Sequence, residues 1–340
     1  MPRYTLGLFA NLYPAYEGDS RGIFVKRMVD DLEREDIRVI KAVKKSTSPL
    51  AYFPFYADSF FKALDKNIDI LQAEYIPHSS MIPCLMKSKR PLILKFHGDD
   101  GLIYPFKNKF NRALIDFSIN RADHIITCSE ALKRSIASLG VDPEKITPIA
   151  NGVDTTVFRP MDKEKCRYLF SLDPDATICL FAGRLHPMKG IYEIIESAKL
   201  NPDVIFVFGG PGVVPNHPKN CIFLGDIAPD AMPQLMNTAD FLVLPSHSEG
   251  LGLVLIESLA CGVPVIASNV GGCPEIVKNG YSGILIRPKD YLSLSNAVCL
   301  MDKNPEKRKI MGIKGRKDII EKYDSKKLSK HLISIHEKCL

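Results

Sequence analysis

The amino-acid sequence predicts an α/β protein of two domains, each built around a doubly wound parallel sheet. Three observations support this fold class. Short apolar runs alternate with amphipathic stretches along the whole chain, which is the pattern of repeated strand–helix units. Several runs, such as ICLFA, VIFVF and FLVL, are apolar throughout, as strands covered by helices on both faces must be. The length of 340 residues is enough for two separate cores.

The apolar runs place strands at regular intervals in both halves of the chain, and stretches with helical spacing lie between them. The predicted strands are Tyr4–Phe9, Arg38–Ala42, Ile68–Ala73, Leu92–Phe96, His124–Thr127, Thr147–Ile149, Thr177–Phe181, Val204–Phe208, Cys221–Leu224, Phe241–Leu244, Pro264–Ala267 and Gly283–Ile286. The predicted helices include Phe24–Arg34, Phe106–Asn120, Glu130–Leu139, Ile191–Leu200, Met232–Ala239, Val254–Ala260 and Pro305–Ile319. This alternation predicts two Rossmann-like units.

A polar, turn-rich segment over 152–175 separates the two halves. We therefore place a first Rossmann-like domain at 1–160 and a second at 161–322. The tail over 323–340 has apolar residues mostly on one helical face, so it is expected to form a helix that docks on a domain. We expect it to pack back on the first domain.

Composition excludes several classes of function. The formal net charge of +6 is too small and too evenly spread to indicate nucleic-acid binding. No apolar run reaches the roughly 18 residues of a membrane-spanning helix, and the apolar stretch at the start is too short for a signal peptide. Nine cysteines without a CxxC pair predict reduced, buried thiols. These features together predict a cytoplasmic protein.

Three basic clusters are relevant to membrane contact. The ordinary interpretation of such clusters is solvated loop surface, and the alternative is a face that attracts anionic lipid head groups. The alternative would place the protein at the inner face of the membrane as a peripheral protein. The clusters are Lys41 with Lys44 and Lys45, Lys87 with Lys89 and Arg90, and Lys107 with Lys109 and Arg112.

The densest chemical signal is the segment SHSEGLGLVLIES, which follows a predicted strand. A helix is expected to begin near Leu251, where open parallel sheets bind ligands. Gly250 and Gly252 would let a ligand approach the backbone, and the free N–H groups of the helix start suit a phosphate. Counted along a helix, Glu257 lies about 12 Å and about 80° from Glu249, so the two carboxylates would contact opposite ends of one extended ligand. The alternative is that Glu249 only caps the helix and that Glu257 is a buried structural acid.

The second signal is FAGRLHPMKG, which ends the first strand of the second half. Gly183 begins the loop, and Arg184 and Lys189 are expected to project from it. Two fixed cations beside a helix start form a diphosphate clamp and can stabilise a departing nucleoside diphosphate without a metal ion. Taken alone, these two residues would more often be surface charge.

These segments resemble retaining glycosyltransferases of family 4 (glycosyl transferases group 1), in particular members that act on cell-surface polysaccharides. The resemblance spans almost the whole chain, with the motifs in the same order and spacing. They are Tyr13-Pro14 followed by RGIFV, SEAL at 129–132, NGVD at 151–154, GRLxxxKG at 183–190, EGLGLVLIE at 249–257, VGGCPEIV at 270–277 and NGYSGILI at 279–286.

The resemblance implies the GT-B fold, in which two Rossmann-like domains face each other across a cleft that holds a nucleotide sugar. It implies that Arg184 and Lys189 bind the donor diphosphate, that Glu257 holds the ribose hydroxyls and that Glu249 lies at the donor sugar. The other donor contacts that it implies are Gly183, the backbone of Gly250, Leu251 and Gly252, and Leu224 and Asp226 in the base pocket.

Four residues of the first domain complete the predicted site. His97 matches the family histidine that reaches toward the donor sugar, although a histidine at a strand end is often only structural. Asp99 and Asp100 beside it would either bind acceptor hydroxyls or cap the next helix. Gly22 is assigned to the acceptor side, and its alternative is an ordinary strand–helix turn. The family's paired glycine is absent here, which affects the acceptor side more than the donor side.

No metal site is expected. Asp173-Pro174-Asp175 has the form of a DxD metal motif, but it lies in a proline turn, where aspartates commonly cap turns. Neither ligand spacing for a metal nor a GxSxG, P-loop or complete GxGxxG motif is found elsewhere in the sequence. We therefore expect no cofactor other than a nucleoside diphosphate sugar as co-substrate.

The resulting prediction is a metal-independent, retaining glycosyltransferase. Its acceptor would be a saccharide or a lipid-linked glycan, in the biosynthesis of a surface polysaccharide or a glycolipid. One alternative is another GT-B enzyme, such as a UDP-N-acetylglucosamine 2-epimerase, which would convert the nucleotide sugar without an acceptor. The other is a catalytically silent subunit that only binds nucleotide sugars.

Overall fold

The computed structural model describes residues 2–16 and 18–340 and divides the chain into two compact units. The first unit contains the chain up to Asn151 together with Ser325–Leu340, and the second unit is Gly152–Asp324. The chain therefore passes once through the second unit and returns to the first with its last helix.

The strands and helices alternate along both units. The strands are β1 Thr5–Ala10, β2 Arg38–Val43, β3 Ile70–Glu74, β4 Leu92–Phe96, β5 His124–Thr127, β6 Ile146–Pro148, β7 Thr177–Ala182, β8 Val204–Gly209, β9 Cys221–Gly225, β10 Phe241–Leu244, β11 Val265–Ser268 and β12 Gly283–Ile286. The helices are α1 Ile23–Arg34, α2 Tyr52–Ala63, α3 Met81–Met86, α4 Asp99–Leu102, α5 Tyr104–Lys107, α6 Lys109–Arg121, α7 Glu130–Ala137, α8 Lys163–Leu169, α9 Ile191–Leu200, α10 Met232–Thr238, α11 Leu253–Ala260, α12 Cys273–Ile276, α13 Tyr291–Lys303, α14 Pro305–Lys322 and α15 Ser325–Cys339.

The first unit contains a parallel sheet with the strand order β2-β1-β3-β4-β5-β6. β1 is buried at every position and pairs with β2 and β3, so that Leu8 lies opposite both Lys41 and Gln72. The chain order of the strands reverses between β1 and β3. In open parallel sheets, ligands bind beyond the carboxyl ends of the strands at such a reversal.

The last helix completes the core of the first unit. α15 packs against α1, and its residues Leu332, Ile333 and Ile335 join a buried cluster with Leu6 of β1 and side chains of β3, β4 and β5. The apolar side of the tail helix is therefore buried within this unit, as the sequence predicts.

The second unit contains a parallel sheet with the order β12-β11-β10-β7-β8-β9. Here the chain order reverses between β7 and β10, which pair directly through Cys179 with Phe241 and Leu180 with Leu242. The two six-stranded parallel sheets with flanking helices confirm the predicted fold class of two doubly wound domains.

Residues 152–160 pack with the second unit, whereas the sequence analysis placed them in the first domain. Val153 N donates to Tyr323 O at 3.0 Å, and Asn237 Nδ2 donates to Arg159 O at 3.0 Å. Phe158 is only 1% exposed. These contacts attach the connecting segment to the unit that follows it.

The predicted helix Phe106–Asn120 is two helices in the structure. Asn108 has an extended backbone, with φ −166° and ψ 168°, and its side chain accepts a hydrogen bond from Asn111 N at 2.8 Å. Asparagine is a favoured N-cap residue, so it starts a new helix rather than continuing the first.

All nine cysteines are free thiols, and seven of them are buried. None of the helices formed by the described residues combines the length and the apolar character that crossing a membrane requires.

Candidate functional site

Two loops meet where the strand order of the second sheet reverses. One loop follows β7 and leads through a 3₁₀ turn, Pro187–Lys189, into α9, and the other follows β10 and leads into α11. Gly190 joins the two loops closely. Its φ is +76°, and a Cβ atom at this position would lie 2.2 Å from Pro245 O. Only glycine permits this approach, which brings the side chain of Lys189 to the second loop.

Lys189 and Glu249 form an ion pair between these loops. Lys189 Nζ lies 2.5 Å from Glu249 Oε1, which also accepts a hydrogen bond from Ser246 Oγ at 3.0 Å. The Lys189 side chain is 35% exposed and that of Glu249 is 11% exposed. Lys189, which was assigned to the diphosphate, and Glu249, which was assigned to the sugar, therefore pair with each other in this structure.

Arg184 lies in the same loop as Lys189 but is exposed, and within the described part of the chain its side chain makes no hydrogen bond or ion pair. Gly183 begins the loop, and its N–H donates to Gly209 O at 2.8 Å. The loop is thereby held beside the end of β8 while the guanidinium of Arg184 stays free for an anion.

The helix of the glycine-rich segment begins one residue before the predicted helix Val254–Ala260 and two residues after the start expected near Leu251. α11 starts at Leu253, and its N-cap residue is Gly252, with φ 88°. The left-handed backbone of Gly252 interrupts the helical geometry before Leu253. Glu249 therefore precedes the helix by four residues, and the helical distance of about 12 Å between it and Glu257 does not apply.

The remaining residues assigned to the donor also lie on this edge of the second sheet. Glu257 is in α11 and only 8% exposed, and Leu251 is 5% exposed. Leu224 is half-buried at the end of β9 and Asp226 is exposed just beyond it. The end of β9 is joined to the loop after β8 by Gly210 N, which donates to Gly225 O at 2.7 Å.

A second polar pair at this edge was missed by the sequence analysis. His247 Nε2 lies 2.7 Å from Glu193 Oε1 in the first turn of α9, and His247 N donates to Met188 O at 2.9 Å. The signal was present, because His247 lies between a buried strand and Glu249. These contacts hold the loop after β10 against the loop that carries Lys189.

In the first unit, His97 is almost fully buried. Its Nε2 lies 2.6 Å from Glu74 Oε2, its Nδ1 lies 3.2 Å from Asn151 Nδ2, and its side chain is 3% exposed. The carboxylate of Glu74 requires a proton on Nε2, which leaves Nδ1 to accept from the Asn151 amide. Both ring nitrogens are therefore occupied by protein groups.

The His97–Glu74 pair continues into a buried polar chain that ends on α15. Gln72 Nε2 donates to Glu74 Oε1, Gln72 Oε1 lies 2.6 Å from His336 Nε2, and His336 Nδ1 lies 2.7 Å from the Tyr4 hydroxyl. Burial lowers the pKa of His336 to about 3, so this ring is neutral at physiological pH.

Glu74 at the centre of this chain stays ionised. Burial alone would raise the pKa of its carboxyl, but the charge of Lys95 and the hydrogen bonds from His97 and Gln72 outweigh burial, and the pKa is lowered. A fully buried carboxylate thus fixes the orientation of the His97 ring.

Asp100 has a structural role, while Asp99 is exposed. The Asp100 carboxylate accepts hydrogen bonds from the N–H groups of His97, Gly98 and Ile76 at 3.0, 2.8 and 3.3 Å. Burial raises the pKa of this carboxyl. Asp100 therefore holds the loop before α4 rather than acting as a helix cap, since the N-cap residue of α4 is Gly98 and no side chain caps it.

Gly22 is the N-cap residue of α1, with φ 64° and ψ 21°. A Cβ atom at this position would lie 2.4 Å from Leu12 O, so glycine is needed where the loop after β1 turns into the helix. Asp19 stabilises the same loop. Hydrogen bonds from the Arg21 side chain are the main cause that lowers the pKa of its carboxyl.

Among residues 2–16 and 18–340, no group of three or more His, Cys, Asp or Glu side chains is arranged to hold a metal ion. The Asp173-Pro174-Asp175 segment forms a turn in which Asp173 Oδ1 accepts a hydrogen bond from Asp175 N at 2.8 Å.

Two family models match the chain. The model described as glycosyltransferase family 4 matches residues 18–157, and the model described as glycosyl transferases group 1 matches residues 162–318. Together they span most of both units.

Several curated relatives carry the name D-inositol 3-phosphate glycosyltransferase. The protein of Mycolicibacterium gilvum is 35% identical over 184 residues, which cover 49% of this chain and 42% of the relative. The protein of Mycobacterium tuberculosis strain F11 is 35% identical over 196 residues, covering 53% of this chain and 41% of the relative. The chain spans less than half the length of the curated relatives that it matches.

Solved structures resemble the chain over almost its whole length. Sucrose-phosphate synthase of Thermosynechococcus elongatus has a TM-score of 0.86 at 18% identity and covers 99% of both chains. Anabaena Alr3699/HepE in complex with UDP-glucose has a TM-score of 0.82 at 19% identity, covering 98% of this chain and 99% of that chain. At this identity the likeness shows the fold, and it confirms the GT-B fold class.

Proposed function

Because the chain belongs to the glycosyltransferases of family 4, we propose that it transfers a sugar from a nucleoside diphosphate sugar to an acceptor hydroxyl, with retention of configuration and without a metal ion. One observation carries the proposal. The reversal point of the second sheet brings together an exposed arginine, an ion-paired lysine and the loop before a helix start. This combination suits a diphosphate.

The Lys189–Glu249 ion pair suggests how donor binding proceeds. A diphosphate that reaches Arg184 also approaches Lys189, and the doubly charged group replaces Glu249 as the partner of the ammonium. Glu249 is then free to accept hydrogen bonds from the sugar hydroxyls. We propose this exchange of partners as the step that prepares the donor for reaction.

The chemical step breaks the bond between the anomeric carbon and the β-phosphate oxygen and forms a bond from that carbon to the acceptor oxygen. The acceptor proton moves to the departing phosphate oxygen, and the products are the glycoside and a nucleoside diphosphate. Arg184 and Lys189 stabilise the negative charge that develops on the leaving group. Attack on the same face as departure retains the configuration.

The finer assignments rest on the sequence and on the relatives. We propose a saccharide or a lipid-linked glycan as the acceptor, in surface polysaccharide or glycolipid biosynthesis, and a cytoplasmic protein at the inner face of the membrane. The name of the curated relatives adds D-inositol 3-phosphate to the acceptors to be assayed, and the complex of HepE makes UDP-glucose the first donor to try.

A thermal-shift panel with UDP, GDP, ADP and their sugars tests the donor site. A ligand present at about 100 times its Kd stabilises the protein by about 2.7 kcal/mol, which raises the Tm measurably. We expect one nucleotide to raise the Tm of the wild type and of Lys165→Ala/Lys199→Ala, a control pair of exposed lysines. We expect no increase for Arg184→Ala/Lys189→Ala, and a retained increase there would overturn the assignment.

An assay of the product tests the reaction itself. Proton NMR of the glycoside reports the anomeric configuration, and an excess of EDTA tests the independence from metal ions. Inversion, or loss of activity in EDTA, would contradict the corresponding part of the proposal. Nucleotide binding without turnover over a broad acceptor panel would favour the silent binding subunit instead.

A further inference from the structure

Helix α2 carries three of its four phenylalanines on the side that faces solvent. Its buried positions are Phe55, Ser59 and Ala63, two of which are small side chains. The exposed fractions are 75% for Phe53, 40% for Phe60 and 71% for Phe61. A surface helix of a globular protein normally shows the reverse distribution, with apolar residues toward the core.

The exposed side of α2 is also uncharged. The exposed residues from the start of α2 to the residue that ends it are Phe53, Pro54, Ala57, Phe60, Phe61 and Leu64. Asp58 is half-buried and bonded to Lys62 Nζ at 2.8 Å. An exposed apolar stripe of this kind marks a surface that contacts something other than water.

The junction of α5 and α6 presents a similar composition. Phe106 is 56% exposed and Phe110 is 70% exposed, and the exposed Lys107 and Lys109 lie between them. The N-cap of Asn108 keeps the chain extended at this point, so the two phenylalanines and the two lysines occur within five consecutive residues.

Both segments belong to one layer of helices in the first unit. α2 contacts α3, and α3 contacts α6. The ring of Tyr52 at the start of α2 lies 5.1 Å from that of His78, which lies 6.2 Å from that of Tyr104 at the start of α5. Leu85 of α3, between them, is 57% exposed. We call the exposed residues of these helices the aromatic–basic face. They are Phe53, Phe60, Phe61, Leu85, Phe106, Lys107, Lys109 and Phe110.

The cations of α5 and α6 and of the segments that flank α2 and α3 differ in their availability. Lys44 is buried, Lys87 is paired with Asp123, and Arg90 donates to backbone carbonyls, so these members of the predicted basic clusters serve the fold. Other cations are exposed. They are Lys45, Lys66, Lys89, Lys107 and Lys109.

We propose that the aromatic–basic face binds the surface of an anionic phospholipid membrane. Phenylalanine and leucine side chains enter the boundary between head groups and acyl chains, and lysines beside them bind the anionic head groups. A protein partner fits less well, because lysine is depleted in protein interfaces whereas it accompanies the phenylalanines here. This membrane face deepens the membrane location given in the proposed function and rests on it, but it is independent of the transfer reaction, since membrane binding needs no donor or acceptor.

Vesicle co-sedimentation of the full chain tests this proposal. The vesicles contain phosphatidylcholine alone or phosphatidylcholine mixed with phosphatidylglycerol. We expect binding to the anionic vesicles, and we expect it to weaken between 0.1 M and 1 M salt, where the Debye length falls from about 10 Å to about 3 Å. Equal binding to both kinds of vesicle would overturn the electrostatic part, and no binding to either would overturn the whole.

Two variants locate the surface. Phe106→Ser/Phe110→Ser removes two inserting side chains and should weaken binding about tenfold or more. Lys107→Gln/Lys109→Gln removes two cations and should weaken binding to anionic vesicles roughly 30-fold. All four side chains are exposed, so we expect an unchanged Tm. Wild-type binding by both folded variants would refute the assignment to this face.

A matched control uses an exposed apolar pair of the second unit. Tyr168 is 85% exposed and Leu169 is 67% exposed. Tyr168→Ser/Leu169→Ser should bind vesicles like the wild type, and an equal loss would show that exposed apolar area in general drives binding. Light scattering without lipid tests whether a second copy of the chain covers this face instead. A wild type that is dimeric and a Phe106→Ser/Phe110→Ser variant that is monomeric would assign the face to a second copy.

Discussion

The first sheet reverses its strand order between β1 and β3, and the second sheet reverses it between β7 and β10. At the reversal of the second sheet, the charged side chains lie in loops, with Arg184 exposed and Lys189 paired with Glu249. In the first unit, His97 is buried against Glu74 of β3. Under our proposal, the same architecture therefore carries exchangeable charge in the second unit and fixed, buried charge in the first.

This difference supports a division of work between the units. In our proposal a doubly charged diphosphate displaces Glu249 from Lys189, and the partial exposure of that pair is consistent with this exchange. The His97–Glu74 pair is buried and held by Gln72, so a substrate does not displace it without disrupting the core of the unit. Charge stabilisation should belong to the second unit, and the first unit should supply rigid positioning.

The largest expected effect tests the exchangeable charge. Lys189→Ala should lower kcat by about 10²- to 10³-fold, because one group that stabilises the leaving diphosphate is removed. Lys199→Ala, which removes an exposed lysine paired with Glu196 on α9, should leave kcat unchanged. Steady-state kinetics with saturating donor provide the measurement. Equal kcat values for the two variants would break the comparison.

The next effect tests the fixed charge of the first unit. Glu74→Gln should lower the free energy of unfolding by about 3 kcal/mol, because it leaves the buried surroundings of Lys95 and His97 without a negative charge. Urea unfolding gives this value, and Glu33→Gln, at the exposed ion pair with Lys41, should cost less than about 1 kcal/mol. The Kd for the nucleoside diphosphate should not change, and a weaker Kd would show that the units do not divide the work.

A third test compares two glycines of the second unit. Gly190 and Gly225 both have φ +76°, but only at Gly190 would a Cβ atom meet a backbone atom, namely Pro245 O. Gly225→Ala should lower the free energy of unfolding by about 1 kcal/mol, because of the left-handed backbone alone. Gly190→Ala should cost about 2 kcal/mol more and weaken nucleotide binding, as thermal shifts can measure. Equal losses would show that the approach of the two loops is not required.

The smallest effect concerns pH and the first unit. Below pH 6.5 the unfolded chain protonates His336, whereas the folded chain does not until about pH 3. The neutral His336 ring therefore contributes stability above pH 6.5 that is lost as the pH falls. The free energy of unfolding should decrease by about 1 kcal/mol between pH 7 and 5.5. Glu74 and Lys95 are the charged groups that act on His336, and the lowered pKa of Glu74 keeps its carboxylate ionised over this interval. The contribution should be missing in His336→Gln when its unfolding is compared with the wild type at both pH values.

The strands could be predicted well from the sequence, and α2 could not. A run such as VIFVF can only be a strand buried on both faces, so the predicted ends deviate by no more than two residues. Predicting a helix from hydrophobic spacing assumes that its apolar side faces the core. α2 violates this assumption because three of its four phenylalanines, Phe53, Phe60 and Phe61, face solvent. Under our membrane proposal, the contact that explains them lies outside the chain.

For the candidate site, the sequence predicted which residues lie in loops at strand ends but not which contacts they make. Motif spacing placed Arg184, Lys189 and Glu249 in loops at strand ends, where the structure has them. The ion pair between Lys189 and Glu249 joins residues 60 positions apart, and it depends on the contact of Gly190 with Pro245. No local pattern contains that information.

The buried polar chain was missed for a related reason. Gln72 and Glu74 belong to a strand whose neighbouring residues are apolar, and nothing near them in the sequence marks a partner. Their partners come from β4 and from α15, and His336 lies 264 positions from Gln72. Only the pairing of the strands and the return of the chain to the first unit bring these groups together.

The return of the chain through α15 has a consequence for biosynthesis. A ribosome releases the whole second unit before it releases the helix that covers Leu6, Ile70 and Ile93 of the first unit. Domains usually fold in the order of their synthesis, but here the later unit is complete first. Until α15 has been released, the nascent first sheet exposes apolar residues that this helix will cover, which makes it a segment that a chaperone would bind.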